Sequence, residues 1–532
     1  MNRLLYWIDK HAALIMITAA VIYFAYVGTL SILDHYGLRT QLSDLGHMEQ
    51  SIWQVTQGDP AMTLSDPVLN TSRFAQHANV IFYIIAPLYA IFPSPLTLLL
   101  LGTPAVATAG VLLFYLARHI LKNNLLALLF GAALLANPLV QETNLYDFHP
   151  EVLALPLFLA TILFQEKRQW TGYWISIVLL MTVKEDMPLL AIAIGLYITV
   201  RSSRRQGLLT ILSAISYWAV LQHAVSYLTN TPMNQFTWHR FEYLGDTPLE
   251  TIVTLTKNPL IIPALLSQPA KAQYLLYIFL QGGFLVLLSP LAALWALPNL
   301  TQNILDYSGF QSRLTSVYYS GLVITAMYAA AIYGLRTIKR NCPRLTKSLL
   351  IFFVLQVIIV SIAMSPTPYG LLSSWQDFRI NYNRQDFIDI ISRLPPHASL
   401  ATQNGPAAHL AARDIIVKYP SDTDAVDYIL LHVHDPTNCF NDLFFADSPS
   451  VAFPSQTIKY EKTIISQAFS ESDFGILTYI PPWYLFKRGQ DKNLNDEAYQ
   501  SALRDIHKYP PYQNRQQPKC NSVTRLKELY SK

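Results

Sequence analysis

Residues 124–164 read NLLALLFGAALLANPLVQETNLYDFHPEVLALPLFLATILF. Two apolar runs flank a short polar hairpin, and no lysine or arginine interrupts either of them. A helix needs about 20 apolar residues to cross the hydrocarbon core of a bilayer. Asn124–Val140 and Glu151–Phe164 are therefore expected as membrane helices, and Asn144 to Glu151 as the tight turn that joins them. The pattern repeats outward from here, at Ala12–Ser31, Leu96–His119, Gly172–Val183, Met187–Val200, Leu208–Leu228, Tyr274–Leu297, Thr315–Leu335 and Ser348–Met364. The chain of 532 residues is 52% hydrophobic and only 14% charged, against about 25% charged in soluble domains. These numbers describe a polytopic α-helical membrane protein. Several runs are short, as expected of helices buried among neighbours.

Composition also excludes some functions. The net charge of +4 is small, and no dense basic stripe with interleaved aromatics points to nucleic acid. There is no P-loop and no Rossmann glycine fingerprint. Three cysteines are too few for a disulfide scaffold. The first apolar run is too long for a signal h-region and reads as an uncleaved span.

Basic residues set the orientation. Arg118 and Lys122, Lys167 and Arg168, Arg201 with Arg204 and Arg205, and Arg336 through Lys347 mark cytoplasmic loops. The loop after the first span, the Asp147 loop, the Lys184 loop and everything after Met364 then face outward. Asn79–Phe92 is apolar but broken by Pro87, and reads as a helix in the outer interface. Parity requires one further crossing, placed at Thr251–Ser267, which gives about eleven spans. The domain reading is a membrane domain over 1–370, with an outward loop at 32–95, and an extracytoplasmic α/β domain over 371–532. In the tail, Ser399–Thr402, Tyr428–Leu431 and Gly475–Tyr479 read as strands, and Asp386–Arg393 and Ala407–Ala412 as helices. The domain is expected to end near Gly489, followed by a polar extension. Cys439 and Cys520 both fall in this outward region, where they either pair as a disulfide or stay as buried thiols.

Ionisable residues at the edges of spans are costly and usually functional. Four clusters stand there, all on the outward side: Asp44 to Gln50, Arg73 with His77, Asp147 to Glu151, and Lys184-Glu185-Asp186. They are expected to meet in one site. Asp44 could act as a general base or bind a metal, and an N-cap ahead of the amphipathic stretch from Leu45 accounts for it equally well. Glu49 stands one turn later and either shares that role or lies on a solvated face. Asp147, His149 and Glu151 could hold a divalent cation such as Mg or Mn, with Asp44 as a further ligand, or serve proton transfer. The bland alternative is a capped turn. Lys184, Arg73 and Arg313 could bind phosphate. Macrodipole matching explains Lys184, Glu185 and Asp186 without any function, and lipid headgroups explain the arginines. His77 could be a base, a phosphate donor or an interfacial histidine.

Asp44-Leu45-Gly46 with Gln50, His77, Ala86-Pro87-Leu88-Tyr89, Phe92-Pro93-Ser94-Pro95-Leu96, Asp147-Phe148-His149-Pro150-Glu151 and Lys184-Glu185-Asp186-Met187-Pro188-Leu189 form an ordered set of motifs. Ala296-Leu297-Pro298-Asn299-Leu300 with Asn303 extends it. With these motifs the chain resembles the bacterial membrane family called domain of unknown function 2079, over nearly its whole length. Glu49 stands where an Asp is common, and Tyr318-Tyr319 where His-Tyr is common. That family is similar to the C-type glycosyltransferase (GT-C) fold. The resemblance implies a bacterial inner-membrane enzyme with a cytoplasmic N-terminus, taking a sugar from a polyprenyl phosphate or pyrophosphate lipid. The acceptor would be a glycan, lipid or protein outside the cytoplasm. It also implies an essential acid in the first outward loop, which matches Asp44. The rival expectations are a transporter or binding protein for lipid-linked sugars, and a scaffold whose tail recruits an envelope protein.

Overall fold

The structure, a computed structural model, describes residues 3–65, 72–230, 233, 238–314, 317–380, 382–421, 423–433 and 455–508. Cys439 and Cys520 lie outside the described residues; Cys342 is a free, exposed thiol. The chain is a mostly helical polytopic membrane protein with a small C-terminal sheet, and it forms two compact units. The first comprises Met1–Thr29, Phe74–Ile81 and Leu100–Ser373; the second comprises Leu30–Arg73, Phe82–Leu99 and Ser374–Lys532. Residues 30–65, 72–73 and 82–99, which the sequence groups with the spans, thus fall in the same unit as the C-terminal sheet.

Among the described residues, five helices are long and apolar enough to cross a bilayer: Arg3–Tyr36, Pro95–Leu121, Arg204–Thr229, Gly321–Asn341 and Pro343–Met364. Asn124–Ala136 and Pro138–Leu145 add a sixth if taken together, with a 48° bend between them. The bend falls where Pro138 removes a backbone donor. Asn137 compensates: its Oδ1 accepts from the amides of Leu139 and Val140 at 3.0 and 3.3 Å. Its Nδ2 donates to Gln281 Oε1 at 2.7 Å. Such polar contacts hold helices together where burial of apolar surface offers little net drive. The shorter helices Glu151–Glu166, Trp170–Val183 and Met187–Arg201 follow.

Two expected spans are broken. Tyr274–Leu297 is not one helix: Pro269–Gln281 ends at Gly282, and short turns at Leu285–Leu288 and Pro290–Ala293 precede Leu297–Leu305. Gly283 adopts a left-handed φ of 59°, which glycine tolerates freely. Thr251–Ser267 is split into Pro248–Lys257 and Ile261–Leu266, either side of Pro259. The apolar segment at 79–92 forms the 11-residue helix Ile81–Ile91 with Pro87 inside it. At 1.5 Å per residue it is about 16 Å long, half of a hydrocarbon core.

In the second unit, β1 (Leu400–Thr402), β2 (Ile416–Lys418), β3 (Tyr428–His432), β4 (Phe474–Ile480) and β5 (Trp483–Arg488) form one sheet in the order β2-β1-β3-β5-β4. β1 is parallel to β2 and β3, and β5 is antiparallel to β3 and β4. One core layer gathers Ile464, Ala468, Ala498, Ala502 and Ile506 against Ile429, Ile476 and Phe486. The helix Asn495–Lys508, in the expected polar extension, is therefore docked. The helix expected at Ala407–Ala412 is instead the short turn Asn404–Ala407. A second core layer packs Phe387, Ile390 and Leu394 on Leu400, Ile416 and Leu430, and it includes Leu38 and Leu42 from the first loop.

Candidate functional site

In the first unit the Asn144-to-Glu151 hairpin turns sharply through Asp147, buried at a left-handed φ of 62°. Aspartate adopts that conformation more readily than most residues. The turn sets Glu151 at the start of its helix, and Lys184 follows directly on the helix Trp170–Val183. Lys184 Nζ meets Glu151 Oε1 at 2.8 Å, with both side chains largely buried.

The neighbours of Lys184 reach other segments. Glu185 accepts from His77 Nδ1 and from the Ala78 amide, each at 2.9 Å. Asn79 Nδ2 donates to the Val183 carbonyl at 2.9 Å. Asn299 Nδ2 donates to Asp186 Oδ2 at 3.3 Å, while Asp186 Oδ1 is buried without a hydrogen-bond partner among the described residues. Asp186 occupies the N-cap position of the following helix but makes no side-chain cap bond.

Burial disfavours the Lys184 ammonium, but the charges of Glu151, Asp186 and Glu185 outweigh it and hold its pKa above the ordinary value. Burial pushes Asp186 up to about 6 against the pull of Lys184. Glu185 is raised for the same reason.

A second cation belongs here that sequence reasoning missed. Arg240 Nη1 donates to Tyr319 Oη at 3.1 Å. Its guanidinium lies 5.7 Å from the Phe310 ring centre and 5.8 Å from that of Tyr319. Lys184 Nζ is 5.9 Å from the same Tyr319 ring. Arg313 stacks on Phe310 at 5.0 Å. Arg240 has no carboxylate at ion-pair distance among the described residues. Asp306 lies near, but its oxygens are taken by Ser308 and the Gln311 amide. His149 stacks on Tyr318 at 3.6 Å, and Tyr318 stacks on Tyr319 at 4.2 Å. The Tyr318-Tyr319 pair, given no role from sequence, therefore connects His149 to the two cations. The only sequence signal for Arg240 was a cation within an aromatic run.

In the second unit Asp44 sits half-buried in a wide helical turn, Leu42–Gly46. The cap position of the next helix is Gly46, so Asp44 is not the N-cap residue. Glu49 is buried, not on a solvated face. Its Oε1 accepts from the Tyr89 hydroxyl at 2.8 Å, and its Oε2 has no hydrogen-bond partner among the described residues. Burial pushes the Glu49 carboxyl up to about 8, with Tyr89 and Arg413 opposing. Arg73 is buried too, and one guanidinium nitrogen lies 3.2 Å from Met48 Sδ.

His77, Glu151, Lys184, Glu185 and Asp186 are thus brought into one connected cluster, with His149 and Arg313 joined to it through aromatic rings. Asp44, Glu49 and Arg73 belong to the second unit. Among the described residues, no three His, Cys, Asp or Glu side chains gather in a way that could hold a metal ion. Of the expected metal ligands, Glu151 is paired with Lys184, and His149 turns Nδ1 to the Tyr146 carbonyl at 3.2 Å.

Among solved structures, the chain is similar to ArnT from Cupriavidus metallidurans bound to undecaprenyl phosphate, at 13% identity and a TM-score of 0.47, covering 88% of this chain and 97% of that one. The apo state of ArnT from the same organism gives 11% identity and a TM-score of 0.41, over 83% and 93% of the two chains. No curated protein matches the sequence. Residues 34–475 match the family described as predicted membrane protein (DUF2079), and over that length the chain belongs to this family.

Proposed function

We propose that the protein is a GT-C-like membrane glycosyltransferase that moves a sugar from a polyprenyl-phosphate-linked donor to an acceptor outside the cytoplasm. The observation that carries this reading is the pairing of Lys184 and Arg240 against Tyr319. Lys184 follows directly on an apolar helix, Arg240 lies in the short turn Trp238–Leu244, and among the described residues no carboxylate stands at ion-pair distance from Arg240. A site of that kind suits a phosphate held at a membrane. Preorganised cations also stabilise the charge that grows on a departing phosphate.

In the proposed step, the bond between sugar C1 and the phosphate oxygen breaks, and a bond between C1 and the acceptor oxygen forms. The acceptor proton passes to the Asp44 carboxylate, and the lipid phosphate leaves as an anion. Lys184, Arg240 and Arg313 serve the phosphate. Glu151 keeps Lys184 charged and oriented. His77, Glu185 and Asp186 shape the polar surroundings of Lys184, and Asp147 and His149 hold the hairpin that presents Glu151. The protein would work in the bacterial inner membrane.

The test uses membranes from a deletion strain whose lipid-linked sugars are labelled with [14C]glucose. Purified full-length protein should move label from the polyprenyl-phosphate-linked sugar, separated from other lipids by chromatography, into glycan, glycolipid or protein. Asp44→Asn should stop that transfer while leaving binding of the labelled lipid intact. Label that stays in its original lipid fraction with wild-type protein would overturn the reading.

A further inference from the structure

The C-terminal domain is built around the loop that carries Asp44. Leu38 and Leu42 are residues of its core, packed with Phe387, Ala407, Ile416 and Trp483. Just before Asp44, the Leu42 amide donates to Asn404 Oδ1 at 2.9 Å, and Asn404 Nδ2 donates to Gln41 Oε1 at 3.1 Å. Asn404 is only 3% exposed. Gly405, its neighbour, lies so close to the Leu38 carbonyl that a β-carbon there would overlap the oxygen. Gly46 closes the turn on the other side, where an added β-carbon would stand 3.5 Å from Ala408 Cα.

A second tether follows Asp44. Gln50 Nε2 donates to the Arg413 carbonyl at 3.0 Å and to Ser65 Oγ at 2.9 Å. Ser65 Oγ in turn accepts from the Ile416 amide at 2.8 Å and donates to the Ile416 carbonyl at 2.9 Å. Asp44 therefore sits between two buried tethers, both anchored in the C-terminal domain. The Asp44 side chain remains half-buried while the residues on either side are fixed.

We propose that Asn404 is a positioning residue for Asp44, with Gln50 as its counterpart beyond the turn. The C-terminal domain then acts as a clamp that fixes the loop carboxylate, not as a separate module that presents the acceptor. This rests on the reading that Asp44 takes the acceptor proton. A displacement of about 1 Å from the productive geometry can cost about 100-fold in rate. Loss of either tether should therefore reach the chemical step before it reaches the fold.

The experiment compares full-length wild type, Asn404→Ala, Asn404→Asp and Gln50→Met in the [14C] transfer assay. The same proteins are followed by thermal unfolding and by amide hydrogen exchange. Asn404→Ala should lower kcat about 10- to 100-fold at unchanged KM for the labelled lipid. Exchange at Leu42 to Gly46 should accelerate, while exchange in β3 and β5 stays as in wild type. Asn404→Asp keeps the acceptor for the Leu42 amide and should restore turnover to within about threefold of wild type. If Asn404→Ala does not fold, Gln50→Met is read by the same criteria. Wild-type turnover in both tether variants, or a loss that tracks global unfolding, overturns the clamp. Asp44→Asn reads the underlying reading separately: full activity there sinks the role of Asp44 whatever Asn404 does.

Discussion

Lys184 Nζ and Glu151 Oε1 are 2.8 Å apart, and they come from opposite ends of two successive helices. Glu151 opens the helix Glu151–Glu166, and Lys184 leaves the helix Trp170–Val183. The favoured place for an acid is a helix N-terminus and for a base a C-terminus, so local preference and tertiary contact agree here. Lys184 is therefore charged at any working pH, but already neutralised by Glu151. An anion arriving at this cluster also meets Arg240, which among the described residues has no carboxylate at ion-pair distance.

Breaking the pair should be costly, and removing both partners less so. Lys184→Met and Glu151→Gln each strand a buried ionisable partner, at about 3–5 kcal/mol. The double variant removes both charges and should lose clearly less than the sum of the singles. Thermal unfolding of the four proteins in one detergent measures this coupling. Additive losses would show that the pair contributes nothing specific.

Arg240→Gln should weaken binding of a polyprenyl phosphate about 10-fold or more, with little change in unfolding temperature. Arg240→Lys should recover only part of it, because an ammonium lacks the planar fork that holds Tyr319 and an anion together. Native mass spectrometry of the full-length protein with undecaprenyl phosphate reads both. Equal affinity in wild type and Arg240→Gln would remove Arg240 from the phosphate reading.

Glu49 predicts a pH dependence of stability. Its carboxyl moves from an ordinary 4.5 to about 8 in the folded state, so the folded protein favours the protonated form. That contribution is fully present below pH 4.5, fades as pH rises, and is gone above about 8. A shift of this size corresponds to a few kcal/mol at most. Glu49→Gln is neutral throughout and should flatten stability across that window, above all by raising it at pH 8 to 9. An unchanged pH profile in unfolding experiments would contradict the buried, protonated Glu49.

Much of this arrangement was legible in the sequence, for definable reasons. Apolar length located the helices, and the pairing of Glu151 with Lys184 lies within clusters that stood out because charge is rare at span ends. The motif residues Tyr89 and Asn299 proved to be partners of Glu49 and Asp186. Periodicity failed at Tyr274–Leu297, where hydropathy reads through Gly282-Gly283 and Pro290 but the backbone does not. Arg240 was invisible because its significance lies in the rings of Phe310 and Tyr319 that it meets in space, which spacing cannot express. The Leu42–Asn404 contact joins residues 362 positions apart, and no local pattern in either segment encodes the other.

That long contact yields the sharpest prediction about the fold. Leu42 is 4% exposed and belongs to the same core layer as Leu400, Leu430 and Leu485. Leu42→Ala should therefore cost about 2–5 kcal/mol, the usual range for emptying a buried leucine site. The loss should not be confined to the loop. If the loop and the tail are one cooperative unit, amide exchange should accelerate in β1, β3 and β5 as well as in Leu42 to Gly46, by a similar factor. Ala326, buried in the first unit, should keep wild-type protection. Exchange that accelerates only between residues 38 and 50, with the sheet unchanged, would mean that the tail folds without the loop.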